Sequence, residues 1–485
     1  MRAMVWFRSD LRVRDNPALA AACADASRGV VGVFAVCPEQ WAEHDWGPPR
    51  VGFLLRALRD LSVSLDRMNI PLRIVTTPRF DGAPAAMDGL AASLACDAIY
   101  FSNEYEINER RRDDAVERRF AQAGRAVRRF DGRVILPPGS VRTKAGGMSR
   151  VFTPFRRAWL ARLDEEGGVS TAARPDKQPE RPCPPDPIPD RVAGFDPGDD
   201  PADHWPATER AAHDRLGGFI EDRLSAYHEA RDAPAADGTS RLSPYLTHGL
   251  ISPGACLAAA LEAGGASALA KPGTTGPSAW ISELVWREFY IHLLAAHPRL
   301  SMGRAFQPVT ERLTWSDDDE AFDAWREGRT GYPIVDAAMR CLTATGWMHN
   351  RLRMVVAMFL TKDLWIDWRR GEAHFMRRLV DGDLASNNGG WQWSASTGTD
   401  AAPYFRIYNP TTQGERHDPD ARFIKTWLPE LADLDVRPAH DPSRLPPPAR
   451  RRLGYPEPIC DHAERRERAI AAFKALGATP TGARA

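Results

Sequence analysis

The first 135 or so residues alternate short apolar or β-branched runs with amphipathic stretches of helix length, and this alternation narrows the fold more than any other feature. Residues 4–7, 30–36, 71–77, 98–102 and 133–136 read as strands, while 53–68 and 115–129 carry apolar residues at helical spacing. Strands separated by helix-length crossovers imply a parallel, doubly wound α/β sheet. No Gly-x-Gly-x-x-Gly follows the first strand, so the usual dinucleotide-binding turn is missing.

Ten of the 40 prolines fall between Pro175 and Pro206. Proline lacks an amide proton and disfavours helix in the residue before it, so this stretch reads as a linker. From Thr208 to Ile470 the pattern is mainly helical, with breaks at Gly238, at Pro253, at 271–277 and in the polar, glycine-rich run 386–399. The expected organisation is an α/β domain over 1–135, a linker over 136–207 and an all-α domain over 208–485.

Lys+Arg and Asp+Glu both number 64, which excludes a globally basic nucleic-acid coat but leaves room for local patches. The 7 cysteines are scattered and show no Cys-x-x-Cys pair, which argues against a disulfide framework or zinc ribbon and for a reducing compartment. No His or Cys group has metal-ligand spacing, and no Gly-x-Ser-x-Gly, P-loop or His-Glu-x-x-His is present. The N-terminus is too charged for a signal peptide and no apolar run reaches the length of a membrane span, so a cytoplasmic protein is expected. The absence of a coiled-coil pattern points to a monomer with no obligate protein partner.

Ten of the 15 tryptophans lie between Trp280 and Trp427. They suit the core of a large helical domain, and indole is also the side chain best fitted to stack on a flat ligand or base. Four groupings carry chemistry. Gly238-Thr-Ser-Arg-Leu-Ser243 offers hydroxyls, amides and one guanidinium before a helical pattern, either an anion site or a capped helix start. Trp280, Glu283, Trp286 and Arg287 share a helical face, so Glu283 is either a partly desolvated carboxyl with a raised pKa or one half of a buried ion pair. Between Arg340 and Val380 there are eight Lys/Arg and three Asp/Glu, interleaved with Trp347, Trp365 and Trp368. That mixture suits phosphate contact plus base stacking, or a solvated basic face. Finally, Asp381 to Trp393 packs acids, asparagines, glycines and two tryptophans into one run, a polar lining for a heterocycle.

Taken together, WFRSDLRVRDN, NEYEINERRRD, GTSRLSPYLTHG, SELVWREFY, GWMHNRLRM and DGDLASNNGGWQWSASTGTDAAPYFRIYNPTTQ resemble the photolyase/cryptochrome family, specifically class I cyclobutane pyrimidine dimer photolyases. The resemblance runs nearly end to end. It implies an N-terminal α/β domain and a C-terminal helical domain holding FAD. The implied activity is that of a carbon–carbon lyase: blue-light repair of pyrimidine dimers in DNA, by electron transfer from excited reduced FAD to a flipped-out dimer. The alternative within the family is a cryptochrome-type photoreceptor. The set Trp286, Met354 and Trp393 favours repair.

By this resemblance FAD is held by Tyr227, Thr239, Ser240, Arg241, Leu242, Ser243, Trp280, Glu283, Arg287, Asn350, Arg353, Asp381, Asp383 and Asn387, with Arg353 paired to Asp381. The dimer pocket and its chemistry fall to Glu283, Trp286, Asn350, Met354, Asn387 and Trp393. Arg231, Trp286, Arg351, Trp393 and Arg406 are the implied DNA contacts. Trp391, Trp368 and Trp315 match the family's electron-transfer chain, from flavin to surface. His44, Asn108 and Glu109 match positions that bind a 5,10-methenyltetrahydrofolate antenna, although Met302 stands where folate-type relatives have a lysine. No metal is implied.

Overall fold

A computed structural model of the chain describes residues 1–477 apart from 144, 197 and 199. Pro197 of the proline-rich stretch and residues 478–485 of the expected helical domain therefore lie outside the described residues. The chain divides into two compact units. The first comprises Met1–His228, Ser240–Ser301 and Val380–Ala385; the second comprises Glu229–Thr239, Met302–Leu379 and Ser386–Ala485.

The first unit is built on five parallel strands, β1 (Ala3–Phe7), β2 (Val30–Val36), β3 (Leu72–Thr76), β4 (Ala98–Ser102) and β5 (Ala126–Phe130), in the order β3-β2-β1-β4-β5. β1 and β4 are buried throughout and β2 almost so, as expected of central parallel strands covered on both faces. Ala3 registers with Val30 on one side and Ala98 on the other. The helix Pro48–Asp66, with proline at its first turn, matches the expected 53–68 segment.

The fifth strand departs from expectation. Residues 115–129 are not one helix: the helix Ile107–Gln122 ends before Gly124 at φ 71°, and Ala126–Phe130 then pairs with β4. An edge strand needs no apolar run, and Arg129 instead pairs with Asp114 and Glu117, both at 2.9 Å. Residues 133–136 are a connection outside the sheet, because the Ile135 and Leu136 amides turn to the Glu288 carboxylate.

Strand order reverses between β1 and β4, where doubly wound sheets open a crevice for ligand. Here side chains close it. Arg8 pairs with Asp113 at 2.8 Å, Ser9 donates to Glu104 at 2.6 Å, and Arg112 pairs with Glu104 at 2.7 Å. In place of a glycine-rich turn, the loop after β1 holds an ion network. The rest of the unit is helical and includes Phe152–Glu165, Glu209–Asp222, Ser243–His248 and the 21-residue Gly276–Ala296, which starts on a Thr275/Ser278 capping box.

The second unit is helical around one apolar core. Trp325, Val356, Leu360, Trp368, Phe375 and Trp391 are each at most 2% exposed. The expected break at 386–399 is largely a helix, Leu384–Ala395, despite its two glycines. Side-chain bonds offset the propensity: Asn387 Nδ2 donates to the Glu372 carbonyl at 3.0 Å and Asn388 Nδ2 to Glu372 Oε1 at 2.9 Å, while within the helix Gln392 Nε2 donates to Asn388 Oδ1 at 2.8 Å. No helix among the described residues is long and apolar enough to cross a membrane, and none of the seven cysteines is bridged.

Candidate functional site

In the first unit the expected anion turn is strained and anchored. Arg241 adopts φ 49°, a left-handed conformation rare for a non-glycine residue, immediately before the helix Ser243–His248. Trp280 Nε1 donates to Ser240 Oγ at 3.3 Å, and its ring packs 5.0 Å from Phe219, which lies 5.7 Å from Tyr227. Tyr227, Ser240 and Trp280 thus belong to one cluster, with Leu242 buried beside them in sequence.

A further expected residue, Asp381, is held against the same helix through its backbone. Thr247 Oγ1 donates to the Asp381 carbonyl at 3.3 Å, and the His248 ring bonds the Val380 carbonyl at 3.2 Å. Asp383 is buried and faces Arg133 at 3.5 Å. Burial pulls the Arg50 guanidinium down to about 10, with Asp383 and Glu106 opposing. Arg287 is lowered by the same cause, again opposed by Asp383. Arg133 goes the other way: Glu106, Glu104 and Asp383 outweigh its burial and hold it charged. Three guanidiniums therefore share their field with Asp383, a setting suited to a ligand that brings its own negative charge.

On the helix Gly276–Ala296, Trp280 is buried while Glu283, Trp286 and Arg287 are half-buried along the expected face. Trp286 stacks on Phe152, with centroids 3.7 Å apart and planes at 5°. A second carboxyl on this helix, Glu288, carries a large shift and was not singled out from the sequence. Burial pushes it up to about 7, although the Ile135 and Leu136 amides and Trp159 Nε1 all donate to it. Its signal in the sequence was weak, since one carboxyl next to Arg287 looks like any surface acid.

The expected antenna residues come together in the first unit. His44 Nδ1 lies 3.3 Å from Glu109 Oε1, and Asn108 Nδ2 lies 3.0 Å from His44 Nε2. Burial pulls His44 down, but the hydrogen bond and charge of Glu109 outweigh it and leave the imidazole above its usual range. Nearby Trp41 and Trp46 stack at 5.0 Å, and Arg50 caps Trp46 at 3.6 Å. Met302, in the second unit, is 60% exposed.

The second unit carries Thr239, Asn350, Arg353 and Asn387 of the expected flavin set. His349 caps the helix Asn350–Met358 by accepting from the Arg351 amide, which sets Asn350, exposed, and Met354, half-buried, one turn apart. Arg353 Nε donates to the Met348 carbonyl at 2.8 Å. Arg351 forks onto Asp232, Arg231 is half-buried, Arg406 is exposed and Trp393 half-buried. Trp391 and Trp368 are buried in the core, and Trp315 packs half-buried against it. Trp391 sits 5.0 Å from Phe375 and 6.0 Å from Trp325, while Trp315 lies 4.9 Å from Trp365. Gly371 makes room for the Trp391 ring, since a Cβ there would collide with it. Among the described residues no group of three or more His, Cys, Asp or Glu is placed to hold a metal ion.

Comparison with known proteins gives this donor set its context. Residues 3–180 match the family model described as DNA photolyase, and residues 280–475 match the FAD binding domain of DNA photolyase. The chain belongs to the DNA photolyase family. The deoxyribodipyrimidine photo-lyase of Escherichia coli is 45% identical over 97% of this chain and 98% of its own length. That of Neurospora crassa is 36% identical over 97% of this chain and 81% of its own. Among solved structures, a class III photolyase from Agrobacterium tumefaciens superposes with TM-score 0.86 at 36% identity, covering 99% of this chain and 98% of that one. A cryptochrome from Synechocystis superposes with TM-score 0.84 at 26% identity, covering 97% and 99%.

As a family member the chain is a flavoprotein enzyme, with FAD as its cofactor. The residues present fit that cofactor. The Ser240–Ser243 turn supplies hydroxyls and a guanidinium suited to a diphosphate. Buried Asp383 among Arg50, Arg133 and Arg287 offers the charge and hydrogen-bonding capacity a flavin ring needs.

Proposed function

We propose that this chain is a light-driven deoxyribodipyrimidine photo-lyase acting on cyclobutane pyrimidine dimers in DNA. When bound, reduced FAD would supply the near-UV or blue-light absorption and the electron exchange that reverse the cyclobutane linkage. FAD is held by Tyr227, Thr239, Ser240, Arg241, Leu242, Ser243, Trp280, Glu283, Arg287, Asn350, Arg353, Asp381, Asp383 and Asn387.

The chain's own residues bind and orient. Glu283 meets the dimer carbonyls, Trp286 and Trp393 stack on the extruded bases, and Asn350 and Met354 complete the lining. Extrusion costs a few kcal/mol in intact duplex and least at a weakly stacked, damaged step, which supplies selectivity. Arg231, Arg351 and Arg406 meet the flanking phosphates, making affinity salt-dependent. Trp391, Trp368 and Trp315 carry electrons inward from solvent; Trp391 and Trp368 are buried while Trp315 is half-buried, which supports Trp315 as the outermost of the three. His44, Asn108 and Glu109 hold a methenyltetrahydrofolate antenna on the 1–135 domain, joined by the 136–207 linker to a 208–485 domain for flavin and DNA. The protein works as a cytoplasmic monomer.

The single observation that carries the reading is Trp286. It is a half-buried indole one turn from Glu283, stacked on Phe152 and flanked by Phe289 and Tyr290 at 5.5 and 5.6 Å. The test mixes photoreduced protein with UV-irradiated oligothymidine and follows absorbance near the thymine band. A rise in the light and none in the dark supports repair. No rise with bound, reduced flavin favours the second reading, a blue-light receptor, to which the fold likeness to the Synechocystis cryptochrome gives weight.

A further inference from the structure

We propose that Phe152 is a positioning residue for damaged-base recognition, the fixed floor on which Trp286 presents its outer face. The inference rests on the reading of Trp286 as the base-stacking residue. At 3.7 Å between centroids and 5° between planes, the two rings are in full face-to-face contact. One π-face of Trp286 is thereby occupied, and Phe289 and Tyr290 flank the indole at 5.5 and 5.6 Å, so an incoming base would stack on the face opposite Phe152.

The floor is itself packed against further rings. Phe152 is buried, and its ring meets Phe289 edge-on at 5.9 Å. Phe289 in turn packs 5.1 Å from Phe155, which lies 5.1 Å from His292. The helix Phe152–Glu165 is pinned along Gly276–Ala296 at two further points. Arg156 Nε donates to Ser282 Oγ at 3.1 Å and Trp159 Nε1 to Glu288 Oε2 at 2.7 Å. Phe152, Arg156 and Trp159 fall on one helical face, so these bonds hold the Phe152 ring in place. A half-exposed indole with no neighbour samples several rotamers, and binding must then select one of them. Pre-stacking on Phe152 makes that selection during folding, which leaves more of the stacking energy for affinity.

The test uses the FAD-loaded full chain in the dark and a duplex oligonucleotide carrying one UV-induced thymine dimer, with the undamaged duplex as control. Phe152→Leu keeps the apolar volume and removes the ring. It is expected to weaken binding to the damaged duplex about tenfold, leaving the flavin spectrum and the affinity for undamaged duplex unchanged. Phe152→Tyr should restore the damage preference. In a Trp286→Ala background, Phe152→Leu should have no further effect, which a merely structural role would not produce. Wild-type discrimination by Phe152→Leu, when Trp286→Ala loses it, overturns the role of Phe152. If Trp286→Ala also keeps wild-type discrimination, the assignment of Trp286 itself has failed and this proposal falls with it.

Discussion

The guanidinium of Arg351 is forked onto the carboxylate of Asp232, Nε to Oδ1 at 3.2 Å and Nη2 to Oδ2 at 2.8 Å. Burial raises the Asp232 carboxyl, but the hydrogen bond and charge of Arg351 outweigh it and hold it below the usual carboxylate range. The pair therefore persists across neutral pH. Being partly exposed, it contributes only about 0–1 kcal/mol, so a phosphate can compete for the same fork.

Asp232→Asn should then release Arg351 toward DNA. Dark affinity for undamaged duplex is expected to rise about threefold, and the slope of log affinity against log salt to steepen by a fraction of the value of about 0.9 for one phosphate contact. Arg351→Gln should flatten the slope, the two variants together spanning about 0.9, the value of one phosphate contact. Titrations between 50 and 200 mM salt measure both, and identical slopes in all three proteins would remove Arg351 from the phosphate contacts.

Gly371→Ala should damage the second unit from within. Its Cβ would collide with the Trp391 ring and come close to Leu360. Overpacking of this kind costs about 1–3 kcal/mol. The displaced indole should also slow photoreduction of oxidised flavin. Urea unfolding and the photoreduction rate are the readouts; an unperturbed rate would show that electron entry does not depend on where Trp391 sits.

Asn387→Asp exchanges the amide that donates to the Glu372 carbonyl for a carboxylate facing that carbonyl. Loss of the donor and the new repulsion cost about 1–3 kcal/mol of local order. Flavin retained after gel filtration should fall and the flavin reduction potential should shift. A variant with full flavin content and an unchanged potential would contradict the assignment of Asn387 to the cofactor.

Glu288 sets a pH dependence. Burial raises its folded pKa to about 7, against about 4.3 for an unfolded glutamate. The folded state therefore holds the proton more tightly. The stability this confers is full below the unfolded value and is lost as pH climbs to about 7, by up to about 3 kcal/mol. Glu288→Gln cannot ionise, so relative to wild type it should gain stability between pH 5 and pH 8. Urea midpoints at the two pH values test this, and parallel shifts in both proteins would sink it.

Much of the fold was legible along the chain. Strands β1, β2 and β4 announce themselves as continuous apolar runs, because a central parallel strand is covered on both faces. β5 did not, because an edge strand carries arginines whose partners lie on a neighbouring helix. The helix Leu384–Ala395 was hidden for a similar reason: its amides are satisfied by Glu372, outside the window in which helical periodicity is read.

For the site, the sequence by itself determined which chemical groups are available. The hydroxyl-rich turn at Ser240, the indoles flanking Glu283 and the acid and amide run from Asp381 were all visible as residue types at telling spacings. Only the tertiary structure decided which partners act on them. It set Phe152 beneath Trp286, Asp232 on Arg351, and Glu288 as a carboxyl that burial pushes up to about 7. The reason is physical: local periodicity reports which face of an element is apolar, whereas stacking, ion pairing and desolvation depend on groups brought together only when distant segments close on one another.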